Sequence, residues 1–376
     1  MNITLSQIEF HLFELPLLAV LVVSFCTIAI SRGMGVTLRD SKPLLRFLTG
    51  FFLFLIAIIA SALFASKPGM IIKAFLKWTE VLVLALLVFL YIRNLQTFKT
   101  IYWVLFISMF GYSIISLYWL ISGRLVEYGF RLPGGYDSLF ALSMVIPFIK
   151  KKSGKFILIG LLVIAVIFFS FSRGAWLGLA LLLAYMTKYF YGRNKKKTII
   201  SIVLILVAIL AIKSESIIEL VDWRLSTSFD SGNASNIERS GLIRVAFNAF
   251  LSSPIFGIGA LNYSTYLVNT SDLYIMRAEI LETMTPHNFF LEILSELGLF
   301  GFCALLLLLY SIYSALVFPR SQSHPTVGTL YQEGLFLLYF TFLFAISLGF
   351  ISGGYRFYMA LLFGMALSLI RAGENG

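Results

Sequence analysis

Long uninterrupted runs of apolar residues set the pattern of this chain. A helix needs about 20 apolar residues to cross the hydrocarbon core of a bilayer, and eleven runs approach or reach this length. We predict membrane spans at 13–31, 46–64, 72–92, 100–121, 134–149, 156–171, 174–190, 198–213, 298–318, 330–350 and 355–371. The pattern indicates an all-α polytopic integral membrane protein with about eleven (11–12) transmembrane helices.

One pair of these spans is separated only by the tripeptide Ser172-Arg173-Gly174. As a single helix, the stretch 156–190 would measure about 52 Å, which exceeds the thickness of a bilayer core. Two helices that meet at a polar turn fit better, so we predict a helix break at this tripeptide.

The composition agrees with a membrane protein and excludes other classes. Hydrophobic residues make up 59 % of the chain and charged residues 12 %, whereas soluble domains average roughly 45–50 % and about 25 %. An ordinary soluble enzyme, a disordered chain and a collagen-like fibre are therefore excluded. The two cysteines lie inside apolar runs and the three histidines are scattered, so we expect no metal site and no cofactor.

The positive charges indicate the orientation. Alternate loops hold 17 of the 29 Lys and Arg residues, and the opposite short loops hold 7. The positive-inside rule then places the N-terminus outside and the C-terminus in the cytoplasm. The net charge of +11 is explained by this orientation, so we expect contact with membrane lipids and not with nucleic acid.

A single long hydrophilic segment, from about 213 to 286, lies on the predicted outer face. It divides the chain into N-terminal transmembrane helices (1–213), an outer loop with amphipathic helices (214–297) and C-terminal transmembrane helices (298–376). Ser235 and Glu238 have capping-box spacing. The apolar positions that follow have helical spacing and end at Ser252-Ser253-Pro254; they are Leu242, Val245, Ala246, Ala249 and Phe250.

Arginines on this outer face are candidates for binding an anion. A guanidinium at the membrane depth of Arg173 is costly unless it has a counter-charge or an aqueous cavity, although it would also serve as a cap for the turn. Arg239 extends the buried stripe of the loop helix, and Arg244 lies about 140° away around the axis, as a solvated side chain would. Arg124 and Arg131 flank another outer loop. Guanidinium groups favour phosphates, and a pyrophosphate at the membrane surface suits this set best.

His287 is the candidate proton acceptor. It follows Thr285-Pro286, so we predict Thr285 as N-cap, Pro286 as the first helical residue and His287 as the second. The positive end of the helix dipole would then lower the pKa of the imidazole and keep it neutral. The alternative is a histidine that only makes structural hydrogen bonds.

Three segments together resemble the O-antigen ligase/polymerase superfamily. FSRGAWLGL resembles its Ser-Arg-Gly motif, ERSGLIRVAFNAFLSSPIFGIG its arginine helix followed by Pro-x-x-Gly-x-Gly, and PHNFFLEILSELGLFGF its His-Asn motif. The resemblance covers about 125 to 305. Two positions depart from the family pattern: Ile243 replaces a usual aromatic residue, and no Pro-Asn pair occurs near Gly134.

The resemblance implies a GT-C-type glycosyltransferase in a bacterial cytoplasmic (inner) membrane, with its active site on the periplasmic face. The donor would be a glycan on undecaprenyl pyrophosphate and the chemistry metal-independent and inverting. Arg173 and Arg239 would bind the pyrophosphate, and His287 would be the general base. Further candidate substrate-binding residues are Arg244, Arg131, Arg124, Ser172 and Asn288.

Several functions remain open at this point. An O-antigen ligase, which transfers the glycan to lipid A–core in lipopolysaccharide biosynthesis, is favoured over a polymerase that extends a lipid-linked glycan. A protein O-oligosaccharyltransferase is a third alternative, and a lipid or solute transporter belongs to a different class. Glu282, Glu292 and Glu296 are either orienting groups of the site or structural residues.

Overall fold

The computed structural model describes residues 42–122, 134–150, 154–170, 172–190, 234–270, 284–317, 328–348 and 355–372. Every regular element within these ranges is helical. The α-helices are α1 Lys42–Ala60, α2 Gly69–Tyr91, α3 Leu95–Ile121, α4 Gly135–Lys150, α5 Gly154–Phe169, α6 Arg173–Phe190, α7 Ala234–Ser252, α8 Tyr263–Thr270, α9 Phe289–Val317, α10 Gly328–Ser347 and α11 Tyr355–Ala372, and a 3₁₀ turn, Ser61–Phe64, continues α1.

Nine of the eleven predicted spans coincide with a helix in the described ranges; the spans 13–31 and 198–213 lie outside them. Five of these helices are long and apolar enough to cross a membrane, and four shorter ones, Gly135–Ile149, Gly154–Phe169, Arg173–Met186 and Arg356–Leu369, are also apolar. These helices agree with a polytopic membrane protein. The total of eleven spans and the GT-C arrangement stay predictions.

Helix α9 is the centre of the packing. It runs along α1 and also contacts α7, α10 and α11. A Cβ added at Gly50 of α1 would lie 3.0 Å from the backbone nitrogen of Leu308, so the two helices approach almost to backbone contact, as small residues allow between membrane helices. The opposite side of α1 exposes Phe52, Ile56 and Ile59. Exposed apolar side chains of this kind suit a lipid-facing surface.

The break predicted at Ser172-Arg173-Gly174 is confirmed, because α5 ends at Phe169 and α6 begins at Arg173. The helix predicted in the long hydrophilic segment, α7, is confirmed as well, and it ends at Ser252 as predicted. Its predicted N-cap is wrong: α7 begins at Ala234, so Ser235 lies inside the helix. Helix ends of this kind shift by a residue or two because several polar residues in sequence compete for the cap.

Helix α7 is held against α9 by the predicted apolar stripe. Leu242, Ala246 and Ala249 are almost fully buried, and Val245 is partly buried. The hydroxyl of Tyr263, in α8, donates a 2.7 Å hydrogen bond to the carbonyl of Leu242. The stripe and this bond fix α7, and the arginines it carries, above one end of the helix bundle.

Helix α9 is itself broken at Gly298, which has φ 64° and ψ −165°. The loop after α7 fills the break. Four backbone hydrogen bonds join the two: Ile258 N to Ser295 O and Gly259 N to Glu296 O (3.0 Å each), Leu299 N to Pro254 O (2.8 Å) and Phe300 N to Ile255 O (3.1 Å). We call this arrangement, residues 253–262 with 295–300, the loop–helix junction. Its bonds replace those that a continuous helix would have made.

Glycine allows the two backbones of the junction to touch. Gly257 has φ 72° and Gly298 has φ 64°, a region that other residues rarely adopt. A Cβ at Gly257 would overlap the backbone of Glu296, and a Cβ at Gly298 would overlap that of Ile255. The Pro-x-x-Gly-x-Gly and Glu-x-Gly segments are therefore the two sides of one contact.

Side chains extend the junction to its neighbours. The carboxylate of Glu296 accepts the amide of Leu261 at 2.7 Å and the amide of Tyr263 at 3.1 Å. Asn262 accepts the amide of Lys67, at the start of α2, at 2.7 Å. The question left open for Glu296 is answered here: its carboxylate has a structural role.

Candidate active site

The Ser-Arg-Gly turn is built around the N-terminus of α6. The hydroxyl of Ser172 accepts the amide of Ala175 at 3.4 Å, and its carbonyl accepts the amide of Trp176 at 2.9 Å. Ser172 is thus the N-cap of α6. Arg173, the first residue of the helix, is half-buried, and its Nε atom is shielded from solvent. Arg173 thus lies at a helix N-terminus, an end that suits phosphate oxygens.

Tyr136 joins this turn, although the sequence did not single it out. Its hydroxyl is hydrogen-bonded to the side chain of Ser172, and a Cβ at Gly174 would overlap that hydroxyl. A Cβ at Gly135 would lie 2.6 Å from the Ser170 hydroxyl oxygen. Two glycines, one on each side, therefore let α4 approach the turn, and the pairing of Gly-Gly-Tyr with Ser-Arg-Gly was the signal available in the sequence.

His287 precedes α9 instead of lying within it. The helix begins at Phe289, and Asn288 is its N-cap, since the Asn288 side-chain oxygen accepts the amide of Leu291 at 3.0 Å. The predicted cap at Thr285 is wrong because Asn caps a helix better than Thr. His287 has φ 52°, a left-handed conformation that a right-handed helix excludes.

The environment of His287 keeps its imidazole neutral. Burial lowers the pKa of His287 first, the positive charge of Arg239 lowers it further, and the carboxylate of Glu238 opposes them. The predicted direction is confirmed, but the causes are burial and Arg239. A neutral imidazole that is half-buried can accept a proton from a hydroxyl group.

Arg239 interacts electrostatically with both parts of the site. Its charge acts on the His287 imidazole and on the Tyr136 hydroxyl. The prediction that Arg239 is buried is wrong: its side chain is exposed, and the fully buried stripe of α7 begins only at Leu242. Burying an unpaired guanidinium would have been costly. We call Arg239, His287 and Tyr136 the arginine–histidine face.

The remaining predicted residues fall into three groups. Arg244 is exposed on α7, and in the part of the chain that the structure describes no hydrogen bond or pKa effect connects it with His287 or Tyr136, as expected for a solvated side chain. Arg124 and Arg131 lie outside the described residues, as does Glu282. For Ser172 and Asn288 the structure shows helix caps, and substrate binding by either stays a prediction.

Comparison with protein families decides the class of this site. Residues 158–306 match the family described as O-Antigen ligase. This segment of the chain is similar to an O-antigen ligase domain. This domain begins in α5, ends in α9 and contains all three sequence motifs, so the resemblance drawn from them is confirmed. A comparison with curated proteins finds no match.

The match to the O-antigen ligase family indicates a general class of function. The matched family comprises membrane enzymes of the glycosyltransferase type that process O-antigen and related glycans, and the family as a whole implies lipid-linked glycan substrates. The domain includes Arg173, Arg239 and His287, whereas Tyr136 lies before its first residue. The hydrogen bond between Tyr136 and Ser172 therefore joins a residue outside the matched segment to one inside it.

Proposed function

We propose that this protein is an O-antigen ligase, a glycosyltransferase that moves a glycan from undecaprenyl pyrophosphate to a hydroxyl group of lipid A–core. The reaction takes place at the periplasmic face of a bacterial cytoplasmic membrane. One observation carries the proposal: the charge of Arg239 acts on both the Tyr136 hydroxyl and the His287 imidazole. A single cation thus connects the part suited to an anionic leaving group with the part suited to accepting a proton.

The arginines handle the leaving group. Arg173 and Arg239 bind the pyrophosphate oxygens of the donor, for which the guanidinium fork is well shaped. Negative charge builds on the pyrophosphate as the glycosidic bond breaks, and fixed positive groups stabilise that charge most where it develops. Arg244, Arg124 and Arg131 are proposed to contact more distant parts of the donor.

His287 activates the acceptor. Its neutral imidazole takes the proton from the acceptor hydroxyl as the oxygen attacks the anomeric carbon, on the face opposite the pyrophosphate. The new carbon–oxygen bond forms as the old one breaks, and the electron pair of the broken bond leaves with the pyrophosphate. The configuration at the anomeric carbon is inverted, and the proton remains on His287 until solvent removes it.

The test is transfer by the purified protein. Glycan linked to undecaprenyl pyrophosphate is supplied with and without lipid A–core, and the products are sized on a gel. We expect glycan on lipid A–core only when that acceptor is present. A ladder of lengthening lipid-linked glycan in its absence would make the protein a polymerase, and glycan on a supplied Ser- or Thr-containing protein would make it a protein O-oligosaccharyltransferase. Uptake of the donor into vesicles without transfer would support a transporter.

A further inference from the structure

A cavity opens beside the arginine–histidine face, at the end of the bundle where α1 ends and α2 begins. Its volume is about 70 Å³ and it is partly open to solvent, which leaves room for roughly five water molecules, about the space that one sugar ring takes up. Its wall is mostly apolar and includes the aromatic rings of Trp78, Phe289 and Phe342, and its polar side chains are Glu292, Glu296 and Arg356. Phe289 follows His287 by two residues, so the cavity begins next to the proposed base.

The two glutamates of the cavity are one helical turn apart and differ sharply. Both oxygens of Glu296 accept backbone amides within the loop–helix junction. The Oε2 atom of Glu292 is buried and accepts no hydrogen bond from any residue that the structure describes. Polar atoms buried in this way destabilise a protein and are rare in native structures. A protein retains a buried polar atom without a hydrogen bond where that atom serves a function.

The chemistry of the wall selects the ligand class. A metal cation requires several oxygen ligands, and here the charge of Arg356 acts on both glutamates and would repel a cation. A phosphate would be repelled by two carboxyl groups. A lipid chain would gain nothing from Glu292 or Arg356. A pyranose ring fits the aromatic rings, the carboxyl group and the guanidinium of this wall. Its C–H faces pack on aromatic rings, and its hydroxyls bond a carboxyl group and a guanidinium.

We propose that this cavity binds a sugar ring of the acceptor glycan, with Glu292 and Arg356 bonding its hydroxyls and Trp78 packing against its face. The assignment of the sugar to the acceptor rests on the proposed function, because the cavity adjoins the base that activates the acceptor. Trp78 is well placed for this contact: its ring already packs on Phe54 at a centroid distance of 4.7 Å and on Phe289 at 6.2 Å.

Trp78 also supplies a direct readout of binding. The full-length protein in detergent is titrated with the lipid-free oligosaccharide of lipid A–core and, separately, with the oligosaccharide released from the undecaprenyl pyrophosphate donor, while tryptophan emission is followed. We expect a saturable change with the acceptor sugar that is lost in Trp78→Phe. Glu292→Leu should weaken the apparent affinity at least tenfold. The oligosaccharide that binds reports whether the acceptor is lipid A–core or another lipid-linked glycan.

Thermal unfolding separates this role from a structural one. Glu292→Leu replaces an unsatisfied buried oxygen with apolar atoms of similar size, so its melting temperature should equal or exceed that of the wild type. Glu296→Leu is the matched control: it removes the acceptor of two backbone amides and should melt lower. A Glu292→Leu protein that melts lower than wild type and binds sugar normally would identify a structural carboxyl group and overturn the proposal.

The outcome is independent of catalysis because no donor is needed for binding. Absence of saturable binding of either oligosaccharide to the wild type, by fluorescence and by calorimetry, would overturn the sugar site whatever the enzyme transfers. Binding without any transfer would instead leave the sugar site standing and reject the ligase. Where transfer occurs, Glu292→Leu should raise the KM for acceptor at least tenfold and leave the KM for donor and kcat near wild-type values.

Discussion

The loop–helix junction and the arginine–histidine face involve the same outer segment and the same start of α9, yet they are built in opposite ways. In the junction, backbone amides and carbonyls pair directly and two glycines bring the chains into contact. In the face, Arg239 is exposed and His287 is half-buried in a left-handed conformation. The backbone contact at the centre of the junction leaves no room for a ligand, and the side chains of the face are accessible to one.

This contrast shows how a closed backbone contact can hold neighbouring side chains in place while those side chains stay accessible. The rigid contact of the junction holds the start of α9, so the side chains of the face need few hydrogen bonds of their own. Catalytic groups placed on rigid elements keep their geometry. Substitutions in the junction should therefore lower the stability of the protein, whereas substitutions in the face should lower the rate of transfer.

Gly298→Ala should show the largest effect of all. Its left-handed φ and the overlap of a new Cβ with Ile255 together cost about 3 kcal/mol or more, so the melting temperature in detergent should fall steeply and transfer should be lost with it. Gly111→Ala is the control, because a Cβ there meets nothing within 4 Å and alanine favours the helix. Equal melting temperatures for the two variants would contradict the junction.

His287→Ala should separate rate from stability. Removing the general base should slow transfer by about 10²–10⁴-fold, while the melting temperature stays near the wild-type value because His287 lies outside α9. His324→Ala, which changes a histidine outside the three motifs, should transfer normally. Wild-type transfer by His287→Ala would remove the base assignment.

Arg239→Lys should slow transfer on the order of 100-fold, because an ammonium group keeps the charge but loses the bidentate fork. Arg244→Lys, five residues along the same helix, should have a smaller effect. The rate of transfer at saturating acceptor distinguishes the two. Equal losses would extend the anion site around α7, and a near-normal rate for Arg239→Lys would reduce Arg239 to a residue that positions the helix.

Glu238→Gln should have the smallest effect and a definite sign. The carboxylate of Glu238 raises the pKa of His287 against the two effects that lower it, so its removal lowers that pKa further. Because the base acts in its neutral form, the acidic limb of the pH profile of kcat/KM should move to lower pH, by less than about one unit. A move to higher pH would mean that Glu238 does not face His287.

The sequence predicted those parts of the molecule in which apolar side chains follow a regular pattern along the chain. Apolar runs located the spans, and the spacing of Leu242, Ala246 and Ala249 identified the buried side of α7. The Ser-Arg-Gly interruption located the break between α5 and α6. In each case burial of apolar surface decides the structure, and burial leaves a periodic trace in the sequence.

The sequence did not reveal the parts that depend on contacts between distant backbones. The junction bonds join residues about 40 positions apart through amides and carbonyls, which every residue type possesses, so only the glycines hinted at it. The start of α9 was misplaced because Thr285, Pro286 and Asn288 offer competing signals within four residues. The exposure of Arg239 depends on where α9 stops covering α7, which no local pattern encodes.

The junction also defines which segments can be exchanged between relatives. Residues 254–259 and 295–300 form one contact surface made of backbone and glycine, so a chimera that takes the first segment from one parent and the second from another joins two surfaces shaped for different partners. Grafts that carry 254–300 as a unit preserve that match. Chimeras that are designed to exchange specificity between members of the superfamily should therefore have their crossover points before Pro254 and after Phe300, and not between these residues.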